Sequence, residues 1–192
     1  STTKTVSGAW TYYLACKDAA GNVSTNASKV YNSYVVYNML ETVSWTTTSY
    51  NTSNYAQASS GTYIAPNGTS LTLASIYTIP TWAAAWTFKW MNAAAPSSST
   101  ASLSSTAPTL SANSTYSMWF ARNTYALTLN KWTWISSVTG AWTYKYGKQV
   151  SIDATVSAWY TWVNWTKSAG NAPASATTKN TTVTITSATT LT

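Results

Sequence analysis

The sequence predicts a mainly β chain built from tandem small antiparallel modules with little helix, and three observations predict it. Apolar and polar residues alternate with period two over short runs, most plainly where Val150, Ile152, Ala154 and Val156 share one face. The chain of 192 residues carries 14 Tyr and 12 Trp, and Thr and Val fill many remaining strand positions, all types that suit a pleated surface. Aromatics reach 15% and charged residues only 7%. A disordered chain has few aromatics and many charges, so this one should fold.

Taken in order, residues 1–32 hold an alternating strand at Tyr12–Cys16, a Gly21-Asn22 turn and a second short strand, together a hairpin. Thirty residues bury too little to stand alone, so the hairpin is expected to pack on its neighbour. Residues 33–122 form the second expected module. It opens with the strand Tyr34–Val43, continues through Leu71–Tyr77 and closes with Thr115–Ala121. Its stretch 93–113, rich in Ala, Ser, Thr and Pro, reads as an insertion, since structureless loops of that length are uncommon inside a compact domain. Residues 123–192 form the third. Here the strand Tyr125–Leu129 leads to a Tyr144-Lys-Tyr-Gly147 turn, then the alternating strand ending near Val156. An aromatic strand Trp159–Trp165 and a Thr-rich strand Thr182–Thr186 complete it.

That last series of motifs resembles a divergent internalin-type B-repeat, a small β-grasp-like module strung along bacterial surface proteins. Residues 33–122 resemble a second such repeat, ending at Ala121-Arg-Asn-Thr-Tyr125. The run Asp18-Ala-Ala-Gly-Asn-Val-Ser24 resembles the closing hairpin of a bacterial immunoglobulin-like domain. The resemblance implies a non-catalytic repeat segment of an extracellular adhesin-like protein, on the cell surface or secreted. Its partners would be neighbouring repeats of the same polypeptide and host-surface or glycan ligands.

Chemistry is sparse. There is no His, and the three acids, Asp18, Glu41 and Asp153, lie in different expected modules. General acid–base work needs such groups close together, and zinc or calcium sites need them clustered. No catalytic residue, cofactor site or metal site is expected, and the chain is not expected to be an enzyme. Asp153 falls on the polar face of its strand. Glu41, beside Met39, Leu40 and Val43, is a candidate acid for a Lys–Asn cross-link, with a surface carboxylate at a strand end as the plainer expectation. Cys16, alone in the chain, is expected to be a packed, inert thiol. The net charge of +7 comes from scattered Lys and one Arg with no basic run, so nucleic acid is not an expected partner. No apolar run approaches the ~20 residues that span a bilayer. The start at Ser1 and the stop just after a strand suggest an excised piece of a longer protein.

Aromatic rings supply the alternative function, a carbohydrate-binding module in which Tyr144, Tyr146, Trp162 and Trp165 stack on sugar faces. The tryptophans carry an anomaly of their own. Trp10, Trp45, Trp82, Trp86, Trp90, Trp132, Trp134, Trp142 and Trp159 stand at turns and strand starts among small residues, where the resembled families place Gly. Two readings remain open: a Trp-decorated binding surface, or UGA codons that the source reads as glycine. Trp119, Trp162 and Trp165 fall where those families carry aromatics.

Overall fold

A computed structural model describes residues 5, 7–24, 27–42, 52–71, 84–97 and 109–192, the side chains of residues 52 and 90 excepted. The expected strand Leu71–Tyr77 lies outside them beyond Leu71, as does the middle of the 93–113 stretch. Apart from one 3-10 turn, Thr52–Asn54, the described elements are strands, as the residue types foretell. The chain forms two compact units, the first ending at Phe120 and the second running from Ala121 to Thr192 with the segment up to Thr87 added. The expected boundary at 122/123 lies next to that division, while 32/33 lies inside a single strand.

In the first unit that strand is β2, Ala27–Glu41, and it organises everything around it. β1, Thr11–Leu14, pairs antiparallel with its first residues, Thr11 opposite Val30 and Leu14 opposite Ala27. β3, Tyr55–Pro66, runs antiparallel along the rest, and β7, Ser114–Arg122, runs parallel to it from Tyr34↔Ser114 to Leu40↔Phe120. β5, Trp86–Asn92, flanks β7. β7 is therefore central, and Tyr116 to Phe120 are buried without alternation, as expected of a strand covered on both faces. A small pair, β4 (Thr69–Ser70) with β6 (Thr109–Leu110), stands apart.

Two expectations are corrected here. Asn32, Tyr34, Val36 and Asn38 face inward in strict alternation until a bulge between Asn38 and Met39 shifts the register. The extra residue is Ala58 on β3, while β2 keeps an unbroken register with β7 through Met39↔Trp119 and Leu40↔Phe120. With β2 paired on both sides here, Met39 and Glu41 are buried along with Asn38, and Glu41 is not a surface carboxylate. Cys16 is exposed rather than packed. β1 ends at Leu14, so Cys16 sits beyond the strand, near the turn end of the hairpin, where its N–H donates to Ser24 Oγ at 2.8 Å.

The second unit is a sandwich of two sheets. One has the order β10-β8-β14-β12, from Trp142–Lys145, Thr124–Leu129, Thr189–Leu191 and Lys167–Ala169. The other has the order β13-β11-β9, from Thr181–Thr184, Gln149–Val156 and Ile135–Thr139. Leu127 and Leu191 from the first sheet meet Ile135, Val150, Ile152, Ala154 and Val183 from the second, with Trp165 and Ile185 completing the core. The predicted alternation of β11 is seen, with Val150, Ile152 and Ala154 buried and Asp153 on the opposite face.

β8 and β14 are parallel neighbours, with Thr189↔Leu127 and Leu191↔Leu129 in register. The chain therefore enters this module at one end of a strand and leaves at the other. At ~3.3 Å per residue, Thr124 and Leu191 are separated by roughly 17 Å along the strand direction. β2 and β7 repeat the arrangement in the first unit.

Candidate functional site

Of the four candidate stacking residues, Trp165 is 3% exposed and belongs to the core. Its ring meets Trp162 edge-on at 5.1 Å between centroids. Both indole N–H groups donate to carbonyls of one loop, Trp162 to Thr177 at 2.9 Å and Trp165 to Lys179 at 3.2 Å. Buried indoles need such an acceptor, and here the pair pins the 177–179 segment to the sandwich. Tyr144 is half-buried against the same core, and its hydroxyl donates to the Gly140 carbonyl at 2.9 Å. Tyr146 is half-buried beside Trp86, with 6.2 Å between ring centroids. Its carbonyl accepts from Arg122 Nη1 at 3.1 Å, while the Arg122 guanidinium lies 5.1 Å from the Trp86 ring centre, a cation–π contact. All four candidates thus have structural employment, and Trp165 presents no face to a ligand.

Elsewhere in the second unit, two of the anomalous tryptophans join Tyr160 in an aromatic ladder. Trp132 and Trp134 stack at 5.4 Å with 7° between planes, and Tyr160 continues the stack at 6.3 Å and 25° from Trp134. All three rings are exposed. Two tight turns hold them. The first closes through Ile135 N–H to Trp132 C=O at 3.0 Å, and the second through Tyr160 N–H to Ser157 C=O at 3.2 Å. Ser157 N–H to Trp134 C=O at 2.9 Å joins the two. The sequence signal was the Trp132-Thr-Trp134 spacing, but the rings are brought together by the turn that closes on Ile135 rather than by an extended strand.

The ladder borders a shallow cleft of about 160 Å³ lined by Asn130, Lys131, Trp132, Trp134, Trp162 and Asn164, among others. Comparison with family models, with curated proteins and with solved structures finds no match. The cleft's chemistry is that of aromatic faces with amide and ammonium edges, suited to stacking and hydrogen bonding with a neutral polar ligand. Lys131 already donates to the Ser136 carbonyl at 2.8 Å, so its ammonium is partly committed.

Titratable groups stay dispersed. Asp18 caps its own turn, accepting from Asn22 N–H at 2.9 Å and Asn22 Nδ2 at 2.8 Å. The Asn22 side-chain bond, then its backbone bond, hold the Asp18 carboxyl below the ordinary aspartate range. Burial pushes the Tyr34 phenol up, with Tyr63 stacked 5.4 Å away adding to it. Among the described residues no group of three or more His, Cys, Asp or Glu could hold a metal ion, and no helix is long and apolar enough to cross a membrane.

Proposed function

We propose that this chain is a non-catalytic repeat segment of a bacterial cell-surface or secreted adhesin-like protein, acting as stalk and weak contact surface. The observation that carries the reading is the parallel pairing of an early strand with the last strand in each unit, β2 with β7 and β8 with β14. A module threaded that way takes the chain in at one end and releases it at the other, which suits modules strung in a line. Tension along the chain would slide the paired strands past each other, so their hydrogen bonds resist together rather than one at a time. The resemblance of residues 33–122 and 123–192 to B-repeats supports the same reading. Contact with a partner would be weak at each module and gain strength through repetition.

Limited proteolysis of intact source cells tests it. Peptides from this chain are expected in the shaved fraction or the culture medium. Their recovery only after lysis would contradict the reading.

Carbohydrate binding is the second reading, favoured by the exposed Trp132–Trp134–Tyr160 ladder rather than by Tyr144, Tyr146, Trp162 and Trp165. It depends on whether the protein in its source carries indoles at 132 and 134.

A further inference from the structure

We infer that Trp10, Trp132, Trp134, Trp142 and Trp159 are glycine in the source, encoded by UGA triplets that its translation machinery reads as glycine. The backbone at Trp159 is the sharpest sign. Among the described residues, Trp159 is the only non-glycine with positive φ, at 72°; the others are Gly21, Gly68, Gly140, Gly147 and Gly170. Its turn has a counterpart in the same module. Lys148 N–H donates to Lys145 C=O at 3.1 Å, and the third residue of that turn is Gly147 at φ 83°. Tyr160 N–H donates to Ser157 C=O, and the third residue of that turn is Trp159. A turn with positive φ at its third position selects glycine, because a Cβ crowds the following carbonyl oxygen. One turn obeys that rule and its twin breaks it with the largest side chain of all.

Exposure sorts the other described indoles; Trp45, Trp82 and the Trp90 side chain lie outside the described residues. Trp159 is 101% exposed, Trp142 74%, Trp10 72%, Trp132 56% and Trp134 41%, whereas Trp165 is 3% and Trp119 0% exposed. Trp162 has its N–H committed to Thr177. None of the five reaches a core, and Trp132 and Trp134 stack on each other and on Tyr160 at the surface.

A repeated motif ties two of them together. Gly8-Ala-Trp-Thr-Tyr12 and Gly140-Ala-Trp-Thr-Tyr144 each lead into a strand. In each, the Tyr hydroxyl donates to the carbonyl of the Gly four residues back, at 3.1 Å and 2.9 Å. The Trp between them has its ring exposed in both copies.

Composition agrees. The chain has 7 Gly against 12 Trp, and five reassignments would bring glycine to 12, close to the ~13 expected at average usage. Trp86 shares the Ala-Trp-Thr context, but its ring packs beneath Arg122, so the geometry does not assign it. The ladder at 132 and 134 would vanish with the reassignment, leaving Tyr160 alone beside the cleft.

The test is to read the gene's codons and to sequence peptides of the protein isolated from its source cells by mass spectrometry. UGA is expected at positions 10, 132, 134, 142 and 159, with each native peptide lighter by the difference between Trp and Gly. UGG is expected at 119, 162 and 165, with those indoles intact. A UGG codon or a native Trp at any of the five overturns the assignment. Glycine at 119, 162 or 165 overturns the sorting by burial.

Discussion

At the scale of single residues, a tryptophan's worth in this fold is decided by where its ring goes. Trp165 fills the sandwich core, so Trp165→Ala should cost about 3–5 kcal/mol, read as a lower urea midpoint at unchanged slope. Trp142→Ala, at an exposed position, should move stability by no more than ~0.5 kcal/mol. Equal losses for the two would mean that burial is not what distinguishes them. Trp159 should invert the usual rule that truncation destabilises. Its left-handed backbone costs an L-residue about 1–2 kcal/mol, so Trp159→Gly in recombinant protein should raise stability by roughly 1 kcal/mol once glycine's freer unfolded chain is counted. Trp159→Ala keeps a Cβ and should recover little of that gain. A destabilised Trp159→Gly variant would show that the indole contributes packing after all.

At the scale of elements, some strands were legible and others were not: the expected aromatic strand Trp159–Trp165 is instead a turn at Ala158–Trp159 followed by non-strand backbone up to Thr166. Val150, Ile152 and Ala154 announced β11 because one face meets a core and the other meets water. The burial of Glu41 had no such signature: Asn38, Met39 and Glu41 are all buried, and no local pattern reports that β2 is paired on both sides, by β3 and β7. Cys16 was misplaced because the strand ends at Leu14, and the hairpin tip beyond it, though bridged at Lys17↔Val23, has no core to cover the thiol. Loops were illegible until their hydrogen bonds were seen. Asn171 is the clearest case. Its Oδ1 accepts from Thr186 N–H at 2.9 Å, Ser187 N–H at 3.2 Å and Thr189 Oγ1 at 3.1 Å, and its Nδ2 donates to Thr186 Oγ1 at 2.7 Å. Beside it, Gly170 adopts φ 73°, and a Cβ there would run into the Ala188 carbonyl. Asn171→Ala strands those donors and should cost about 1–3 kcal/mol, with faster amide exchange at Thr186 and Ser187 than at β11. Uniformly unchanged exchange would contradict the role given to this amide. The Asp18 turn offers a pH test. Its folded carboxyl titrates below the unfolded one, so its contribution is complete above the ordinary aspartate range and is lost as pH falls through the depressed folded value. Exchange at Asn22 N–H should therefore accelerate, relative to the intrinsic rate, on acidification below that range. Asp18→Asn should remove the acid dependence, and its persistence in that variant would point to another group.

At the scale of the whole chain, a mainly β architecture was foreseeable from the alternating and aromatic segments. Three modules were expected where the chain forms two compact units, and the strand directions on which the proposed function rests were not foreseeable. Which strands are parallel depends on crossings between distant segments, and no local pattern reports that β14 returns beside β8 with the same direction. The surroundings of the aromatic candidates were hidden for a similar reason: composition says that rings are plentiful, while only packing says that Trp165 is in the core and that Trp162, half-buried beside it, shares its loop of acceptors. Single-molecule pulling on the recombinant chain addresses the spacer role most directly. Stretched between residue 124 and the C-terminus, the second unit should resist as its β8–β14 bonds shear together and then yield in one abrupt event. Handles at 124 and 145, which face each other across the antiparallel β8–β10 pair, should instead unzip it bond by bond at clearly lower force. Gradual lengthening of the end-to-end tether, or a rupture force no higher than that of the 124/145 handles, would contradict a segment built to carry tension along a surface protein.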